Sequence, residues 1–384
     1  MRFTEFSGEW KEELLDRIAT LSKGIGIPKE QLSEDGDPCI LYGELYTKYK
    51  SEIIKQVESK TDIDGSKLKR SKANDVIIPC SGETAVDIAT ARCVPFDSIL
   101  LGGDLNVISL HKYDGAFMSY QLNGKRKYDI ARVAQGVSVV HLYGEHLKTI
   151  KTYNPTLPEQ QKIAILLSLL DERIATQNKI IEKYESLIKG LNNILLYGTE
   201  GKYVCLGDIL LERSERSRTN NQHEVLSSTV KGIFSQREYF SKDIASENNV
   251  GYKIIRLHDV VLSPQNLWMG NINYNDRFDI GIVSPSYKVF SIADGYDNQF
   301  VAAMLKTYRA LYSYMMVSEQ GASIVRRNLN MEAFLQLVFK IPSLDKQREI
   351  GYAISLLKYQ LKTANKIIRA YISQKKYLLR QMFI

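Results

Sequence analysis

Two long stretches of the chain carry apolar residues at alternating spacings of three and four positions. They cover residues 154–197 and 341–384, at an offset of 187 residues, and 16 of their 44 aligned pairs are identical. A 3.5-residue apolar repeat of this length is typical of a coiled coil. The apolar seam of the first copy consists of Ile163, Leu167, Leu170, Ile174, Ile181, Tyr184, Ile188 and Leu191. The seam of the second copy consists of Ile350, Ile354, Leu357, Leu361, Ile368, Tyr371 and Leu378, and the polar exceptions are Gln177 and Lys375.

Each stretch predicts one long helix. Pro158 suits a first helical turn, Thr156 and Glu159 have the spacing of a capping box, and Gly198 can end the helix. A helix over residues 159–197 would be about 58 Å long at about 1.5 Å per residue. Because such a seam needs a partner, we expect the two copies to pair as antiparallel helices within one chain. The alternative is two ordinary amphipathic helices in separate cores.

The segments that precede the two helices predict α/β domains that resemble each other. In the first segment we expect a short helix around residues 10–21 and strands at residues 76–78, 98–101, 107–110 and 137–142. The second segment repeats two of these strands, with 259–262 matching 75–78 and 288–291 matching 106–109. Self-similarity at this distance indicates a duplicated unit of one domain followed by one helix.

The predicted organisation is therefore a domain and a helix, twice. The boundaries are 1–153 for the first domain, 154–198 for the first helix, 199–340 for the second domain and 341–384 for the second helix. We expect an α/β (α+β) fold in which a pseudo-twofold axis relates two similar globular domains on an intramolecular coiled coil. A rod that holds two recognition domains at a fixed distance suits duplex DNA, whose major-groove half-sites repeat about every 34 Å on one face.

Composition predicts a soluble protein and gives little direct support to nucleic-acid binding. The formal net charge is +7, but residues 341–384 alone hold 9 basic against 2 acidic residues, so the excess lies on the second helix. No run of about 18 apolar residues predicts a membrane span, and the first residues lack a signal-peptide pattern. Since the four cysteines have no CxxC spacing, we expect free thiols, no zinc and a cytoplasmic location.

Two short elements, each present twice in the same order, resemble the specificity subunit of type I restriction-modification systems. Each domain closes on Gln-Gly-x-Ser, at 135–138 and 320–323, and each helix opens on Pro-x-Leu-x-x-Gln, at 155–160 and 342–347. The resemblance implies a non-catalytic DNA-binding subunit whose two domains each read half of a bipartite asymmetric site, with the helices setting the gap. It also implies two methyltransferase subunits as partners, and restriction subunits through them.

Donor-rich segments are the predicted contacts with double-stranded DNA. Arg suits guanine edges, Gln and Asn suit adenine edges, and Lys mostly holds phosphate. In the first domain the candidates are Lys69, Arg70, Lys72, Ser81, Thr84, Lys125, Arg126 and Lys127. In the second domain they are Arg213, Arg216, Arg218, Gln265, Asn266, Trp268, Arg326 and Arg327. Solvated surface is the alternative for each cluster, and the matching places of 81–84 and 265–268 after strands favour those two.

Two other functions stay open from the residues alone. One is an enzyme that modifies or cleaves DNA itself, although the chain lacks a Walker A motif and its five histidines have no metal-ligand spacing. Residues 154–157 also depart at two positions from the Asn-Pro-Pro-aromatic motif of amino-methyltransferases. We therefore predict no catalytic residue, metal or cofactor. The other is a coiled-coil scaffold without nucleic acid, which a salt-dependent gel shift would distinguish from a DNA-binding subunit.

Overall fold

The structure is a computed structural model that describes residues 2–198, 200–239, 248–320 and 327–383, with the backbone alone at 193–197. Its contacts divide the chain into two compact units. The first is Met1–Lys179 with Lys366–Ile384, and the second is Ile180–Asn365. Each unit holds one globular domain together with a part of each long helix.

The first domain and the helix that follows it have these elements. The strands are β1 Lys11–Leu14, β2 Ala19–Lys23, β3 Leu32–Ser33, β4 Asp37–Ile40, β5 Ser59–Thr61, β6 Asp75–Pro79, β7 Ser81–Gly82, β8 Arg92–Val94, β9 Leu100–Leu101, β10 Leu105–Leu110, β11 Val140–His141 and β12 Lys151–Asn154. The helices are α1 Leu15–Ile18, α2 Glu44–Thr47, α3 Ala85–Ile88, α4 Gly115–Asn123, α5 Lys127–Val133, α6 Gly144–Lys148 and the long α7 Leu157–Tyr197.

The second domain and the helix that follows it have these elements. The strands are β13 Lys202–Cys205, β14 Leu210–Arg213, β15 Leu226–Thr229, β16 Gly232–Ser235, β17 Lys253–Arg256, β18 Val260–Leu262, β19 Ile272–Tyr274, β20 Ile280–Val283, β21 Lys288–Ile292, β22 Ser318–Gln320, β23 Arg327–Leu329 and β24 Val338–Ile341. The helices are α8 Leu206–Ile209, α9 Gln236–Tyr239, α10 Asn298–Met304, α11 Tyr308–Met316, α12 Met331–Leu335 and the long α13 Leu344–Gln381.

A four-stranded antiparallel sheet in the order β2-β10-β6-β8 lies at the centre of the first domain. Val76 and Ile78 of β6 pack into one apolar cluster, and Ile77 packs into another. Because the strand is buried on both faces, it has a continuous apolar run instead of an alternating pattern. The edge pair β1 and β12 brings the chain to the start of α7.

The second domain has the same central sheet, in the order β14-β21-β18-β19. Val260 and Leu262 of β18 pack into one cluster and Val261 into another, as their counterparts in β6 do. The pair β13 and β24 likewise leads into α13. The segments that repeat in sequence, 75–78 with 259–262 and 106–109 with 288–291, therefore occupy equivalent strands of two similar domains.

The helix expected around residues 10–21 is wrong. This segment forms β1, the single turn α1 and β2. β1 pairs with β12 and β2 pairs with β10, so hydrogen bonds to strands far along the chain override the helical spacing of the local sequence.

The long helices pack together as an antiparallel pair. In the first unit, Ile163, Leu167 and Leu170 near the start of α7 share one apolar cluster with Leu378 near the end of α13. The start of α7 thus lies next to the end of α13, so the two helices run in opposite directions. Ile350 and Ile354 of α13 join the core of the second unit. Ile368 is also buried, and the half-buried seam residues are Ile174, Ile181, Tyr184, Ile188, Leu191, Leu357, Leu361 and Tyr371. The predicted fold class is confirmed.

A repeated glutamine anchors each long helix to its domain. Gln160 accepts a hydrogen bond from the amide of Asp114 (2.9 Å) and donates to the carbonyl of Pro155 (2.8 Å). Gln347 makes the same two bonds, to the amide of Asp297 (2.9 Å) and to the carbonyl five residues before it (3.0 Å). Each aspartate also caps a domain helix, α4 or α10. The Pro-x-Leu-x-x-Gln element thus fixes the start of each long helix on its own domain.

Glu159, which the sequence suggested for a capping box, has another partner. Its fully buried carboxylate accepts hydrogen bonds from Nε and Nη2 of Arg2, both at 2.7 Å. A bidentate guanidinium is a geometry that satisfies a carboxylate well. The N-terminal segment is thereby attached to the first turns of α7.

Candidate nucleic-acid interface

In the first domain, residues 81–84 lie beside the hairpin that carries the Gln-Gly-x-Ser element. β7 pairs with β11, and Ser81 is opposite His141. The carbonyl of Ser81 also accepts a hydrogen bond from the hydroxyl of Tyr46 (3.1 Å). Two loops that are far apart in the sequence therefore form one surface.

The tip of this hairpin is exposed and partly apolar. Gln135 and His141 exchange both backbone hydrogen bonds (2.9 and 2.7 Å), so residues 136–139 form the turn. Gly136 has a φ of 122°, and a Cβ there would lie 2.1 Å from the carbonyl oxygen of Val139, so the turn requires glycine. Val137 is 98% exposed and Val139 is 53% exposed. The strand expected over 137–142 is accordingly reduced to Val140–His141.

A cleft of about 740 Å³ lies beside the hairpin tip and α2. Tyr42, Glu83 and Ser138 line it, and Tyr42 is 40% exposed. A carboxylate can accept a hydrogen bond from the exocyclic amine of a base, and an aromatic ring can stack on a base. Tyr42 is absent from the residues predicted from the sequence, because it lies far before residues 81–84 and no local pattern marks it.

Thr84 has a structural role in this loop. Its hydroxyl accepts a hydrogen bond from the amide of Asp87 (3.1 Å) and donates to the carboxylate of the same residue (2.7 Å). Thr84 is therefore the N-cap of α3, and an N-cap contributes about 1 kcal/mol to a helix. Thr84 lies in the loop between β7 and α3, and its hydroxyl already has partners within the protein.

The second domain repeats this arrangement with different side chains. The amide of Arg327 donates to the carbonyl of Gln265 (3.1 Å), and the guanidinium of Arg327 lies 4.8 Å from the centre of the Trp268 ring. Arg327 opens β23, which pairs with the strand that ends at Gln320. Two of the predicted clusters thus meet in the second domain, whereas in the first domain one cluster meets the hairpin. Gln265 is exposed and Asn266 half-buried, whereas Arg326 and residues 321–323 lie outside the described part of the chain.

Lys306 fixes the end of the loop that holds Gln265 and Trp268. Its ammonium group donates to the carbonyl of Gly270 (2.7 Å), one residue beyond the turn that contains Trp268. Burial, with a smaller contribution from Lys358, lowers the pKa of Lys306 to about 8. A half-buried cation in this place holds the loop by its backbone, whatever side chains the loop carries.

Several of the predicted DNA contacts are arginines that pair with carboxylates of the protein. Such a guanidinium contributes to the fold, and it must give up a partner before it can contact a base. The pairs are Arg70 with Asp37 (2.6 Å), Arg126 with Asp129 (3.3 Å) and Arg213 with Asp259 (3.0 Å). Asp259 is buried, and burial raises its pKa in opposition to Arg213.

The remaining predicted cations differ in their exposure. Lys72, Lys125 and Arg218 are exposed, as contacts with phosphate require. Arg216 is exposed and donates to the carbonyl of Gly251 (2.9 Å). Lys69 and Lys127 are half-buried, and burial, assisted by Arg92, lowers the pKa of Lys127.

The described ranges contain neither a cluster of metal-binding side chains nor a membrane-spanning helix. Within those ranges, no three or more His, Cys, Asp and Glu side chains are grouped so that they could hold a metal ion. Among the helices that the structure describes, none is long and apolar enough to cross a membrane.

Known proteins match the first half of the sequence and the whole fold. The type I restriction modification DNA specificity domain family matches residues 8–186. The S subunit of a type I restriction-modification system from M. genitalium shares the fold with a TM-score of 0.63 at 16% identity, over 100% of this chain and 99% of that one. A chain from a study of complex assembly and conformational transition of the type I R-M system has a TM-score of 0.53 at 12% identity, over 98% and 97%. No curated protein matches the sequence.

Proposed function

Residues 8–186 of this chain belong to the type I restriction modification DNA specificity domain family, and we propose that the chain reads DNA for a type I restriction-modification complex. Each domain reads one half of a bipartite asymmetric site. One observation carries this proposal. In both domains, the segment that follows an equivalent strand of the central sheet meets a backbone pairing that begins at the glutamine of Gln-Gly-x-Ser, Gln135 with His141 or Gln320 with Arg327.

The two surfaces offer different chemistry, as two different half-sites require. In the first domain, Tyr42 and Glu83 stand beside the hairpin tip and suit an aromatic stack and an exocyclic amine. In the second domain, Gln265 and Asn266 suit an adenine edge. Exposed cations such as Lys125 contact the phosphates and contribute affinity without sequence preference.

Exposed apolar residues at the same places in both long helices support the docking of two copies of one partner. Leu169 and Ile180 of the first repeat correspond to the identical Leu356 and Ile367 of the second. The exposed set is Ile165, Leu169 and Ile367 in the first unit (59%, 52% and 38%) and Tyr352, Leu356 and Ile180 in the second (70%, 46% and 39%). Exposed apolar groups that occur together commonly mark a contact with a protein. We propose that one methyltransferase subunit docks on each set, and that restriction subunits join through them.

In this arrangement the chain contributes binding and spacing, and its partners contribute the chemistry. The paired helices set the gap between the half-sites, because each is anchored to its own domain by Gln160 or Gln347. No residue of the chain is assigned a catalytic role.

The DNA sequence that the complex methylates is the first test of this proposal. Methylome sequencing of cells that carry the chain and its methyltransferase should give two short half-sites separated by an unspecified gap. A continuous site, or no methylation that depends on the chain, would count against a bipartite reader. Gel shifts of the assembled complex at increasing salt should show a binding constant that falls steeply, as phosphate contacts require.

Variants then assign each half-site to a domain. Gln265→Ala should relax one position of one half-site, by about 1–3 kcal/mol for a bidentate contact, and leave the other half unchanged. The matched control is Gln336→Ala, because Gln336 is exposed in the same domain but lies outside both clusters. Unchanged specificity in the Gln265 variant, or changes in both half-sites, would contradict the assignment.

A further inference from the structure

A buried group of charges interrupts the apolar seam of the first unit, at the polar exception Lys375. The ammonium group of Lys375 pairs with Asp171 of α7 (2.5 Å) and with Glu52 of the first domain. The exposed fractions of the three side chains are 14%, 7% and 10%. One residue of the C-terminal helix therefore joins both the other helix and the domain.

The surrounding side chains complete this group. The hydroxyls of Tyr120 (2.7 Å) and Ser51 (3.1 Å) donate to Asp171, and the ammonium group of Lys375 lies 5.6 Å from the centre of the Tyr120 ring. Burial raises the pKa of Glu52, while the charge of Lys375 acts in the opposite direction. Removing the cation would leave two buried carboxylates close together, which is a costly arrangement.

The sequence repeat shows that this group exists in one copy only. At the offset of 187 residues, Asp171 corresponds to Lys358 and Lys375 corresponds to Ile188. The two helix copies share their apolar seam but carry different charges at these two positions. A shared seam on its own would allow a first copy to pair with another first copy as readily as with a second.

Like-with-like pairing is unfavourable at both positions. Two first copies would place Ile188 where Lys375 lies, so Glu52 and Asp171 would lose the ammonium group that pairs with both. The charge of buried Arg92 also acts on the two carboxylates, but Arg92 does not take the place of Lys375 between them. Two second copies would place Lys358 of one copy opposite Lys375 of the other, which brings two ammonium groups together. Only the pairing of unlike copies places one cation between two carboxylates.

We propose that Lys375, with Glu52 and Asp171, determines which helix copy occupies the seam of the first domain. It admits the C-terminal copy and disfavours a second first copy, so equal halves of different chains do not pair there. A single polar residue in a coiled-coil seam can determine which helix pairs with which. The inference concerns assembly of the chain and does not depend on DNA binding.

A graft within the full chain tests this directly. Residues 366–384 are replaced by residues 179–197, in one version as they stand and in a second version with Lys375 kept. Both versions lack the native C-terminal side chains, so they differ only in the cation. We expect the version with Lys375 to unfold about 5–15 °C higher. Equal unfolding temperatures would overturn the proposal.

The carboxylates provide the second arm of the experiment. In chains that also carry Glu52→Gln and Asp171→Asn, Lys375 should no longer raise the unfolding temperature of the graft, because its partners are neutral. If Lys375 stabilises equally with and without the carboxylates, it acts by packing and the proposal fails. Should the grafts not fold, Lys375→Ile in the native chain, with and without the two amide substitutions, gives the same comparison. No DNA is present, so these outcomes leave the proposed reading function untouched.

Discussion

Gln160 and Gln347 show what the sequence reveals about a single residue and what it does not. Their repetition was visible, and so was their place in a Pro-x-Leu-x-x-Gln element. Their role was not visible, because each satisfies the amide of an aspartate far away in the sequence, Asp114 or Asp297. The same limit applies to Arg70 and Arg213. Both arginines lie in donor-rich segments that suggest DNA contacts, but in the fold each pairs with a carboxylate of the protein that the local sequence does not reveal.

Loss of Gln160 should therefore weaken the joint between α7 and the first domain. Gln160→Ala leaves the amide of Asp114 and the carbonyl of Pro155 buried without partners, so we expect the free energy of unfolding to fall by about 2–4 kcal/mol. Urea unfolding measures this difference. Gln161→Ala is the control, since Gln161 is the exposed neighbour on the same helix. Equal stability of the two variants would show that the two hydrogen bonds contribute nothing.

Lys306 predicts a specific dependence of stability on pH. Its pKa in the folded chain is about 8, below the ordinary 10.5, so the unfolded chain binds more protons between these values. The contribution of Lys306 to the free energy of unfolding should therefore rise from pH 8 to pH 10.5, by at most about 3 kcal/mol, and its cost should be fully present below pH 8. Lys306→Met should lose this slope. Unfolding of both chains across this pH range isolates the contribution, and parallel curves would refute it.

At the scale of elements, the sequence predicted those helices and strands whose pattern of apolar residues follows directly from burial. The seams of α7 and α13 and the buried runs of β6 and β18 were predicted because burial alone determines their composition. The helix expected at residues 10–21 was wrong because β1 and β2 depend on distant partners. The interface combines both cases. Residues 81–84 could be chosen from their place after a strand, whereas Tyr42 joins them only through the fold.

The hairpin tip can be tested through its glycine. Gly136→Ala forces a side chain into a positive-φ position and against the carbonyl of Val139, so the turn must change shape. If the tip contacts DNA, methylation of one half-site should weaken about 10-fold or more, from a strain on the order of 1–3 kcal/mol. Gly8→Ala is the matched control, because Gly8 also has positive φ but open space around it. Comparable losses in both variants would indicate that strain alone, and not the contact surface, is responsible.

At the scale of the whole chain, the duplication could be recognised because it is a property of the sequence compared with itself. The two domains share the order of their central sheets, and differ in the side chains placed at the hairpin and the neighbouring loop. This combination fits the proposed function, in which one scaffold presents two different reading surfaces. The charged cluster around Lys375 could not be predicted from the sequence, because Glu52 of the first domain reaches this polar seam position only in the folded chain.

The spacer role is tested by one added heptad in each long helix, after Lys179 and after Asn365. Asp171 contacts Lys375, so in an antiparallel pair these two insertion points lie at about the same level. Seven residues add about 10 Å and preserve the seam. The recognised gap should grow by about three base pairs, at about 3.4 Å each, while both half-sites stay the same. Binding should also weaken, because three base pairs rotate the second half-site by about 100° around the duplex.

Methylome sequencing of the variant complex measures both the gap and the half-sites. The heptad in one helix alone is the control, since it lengthens only one side of the pair and should abolish bipartite methylation. An unchanged gap in the double insertion would mean that the domains find their half-sites independently of the helices. A changed half-site would mean that the helices shape the reading surfaces themselves. Either result would contradict the proposal that the two helices act only as a spacer. An unchanged gap would show that the anchors at Gln160 and Gln347 do not make the distance between the domains depend on helix length.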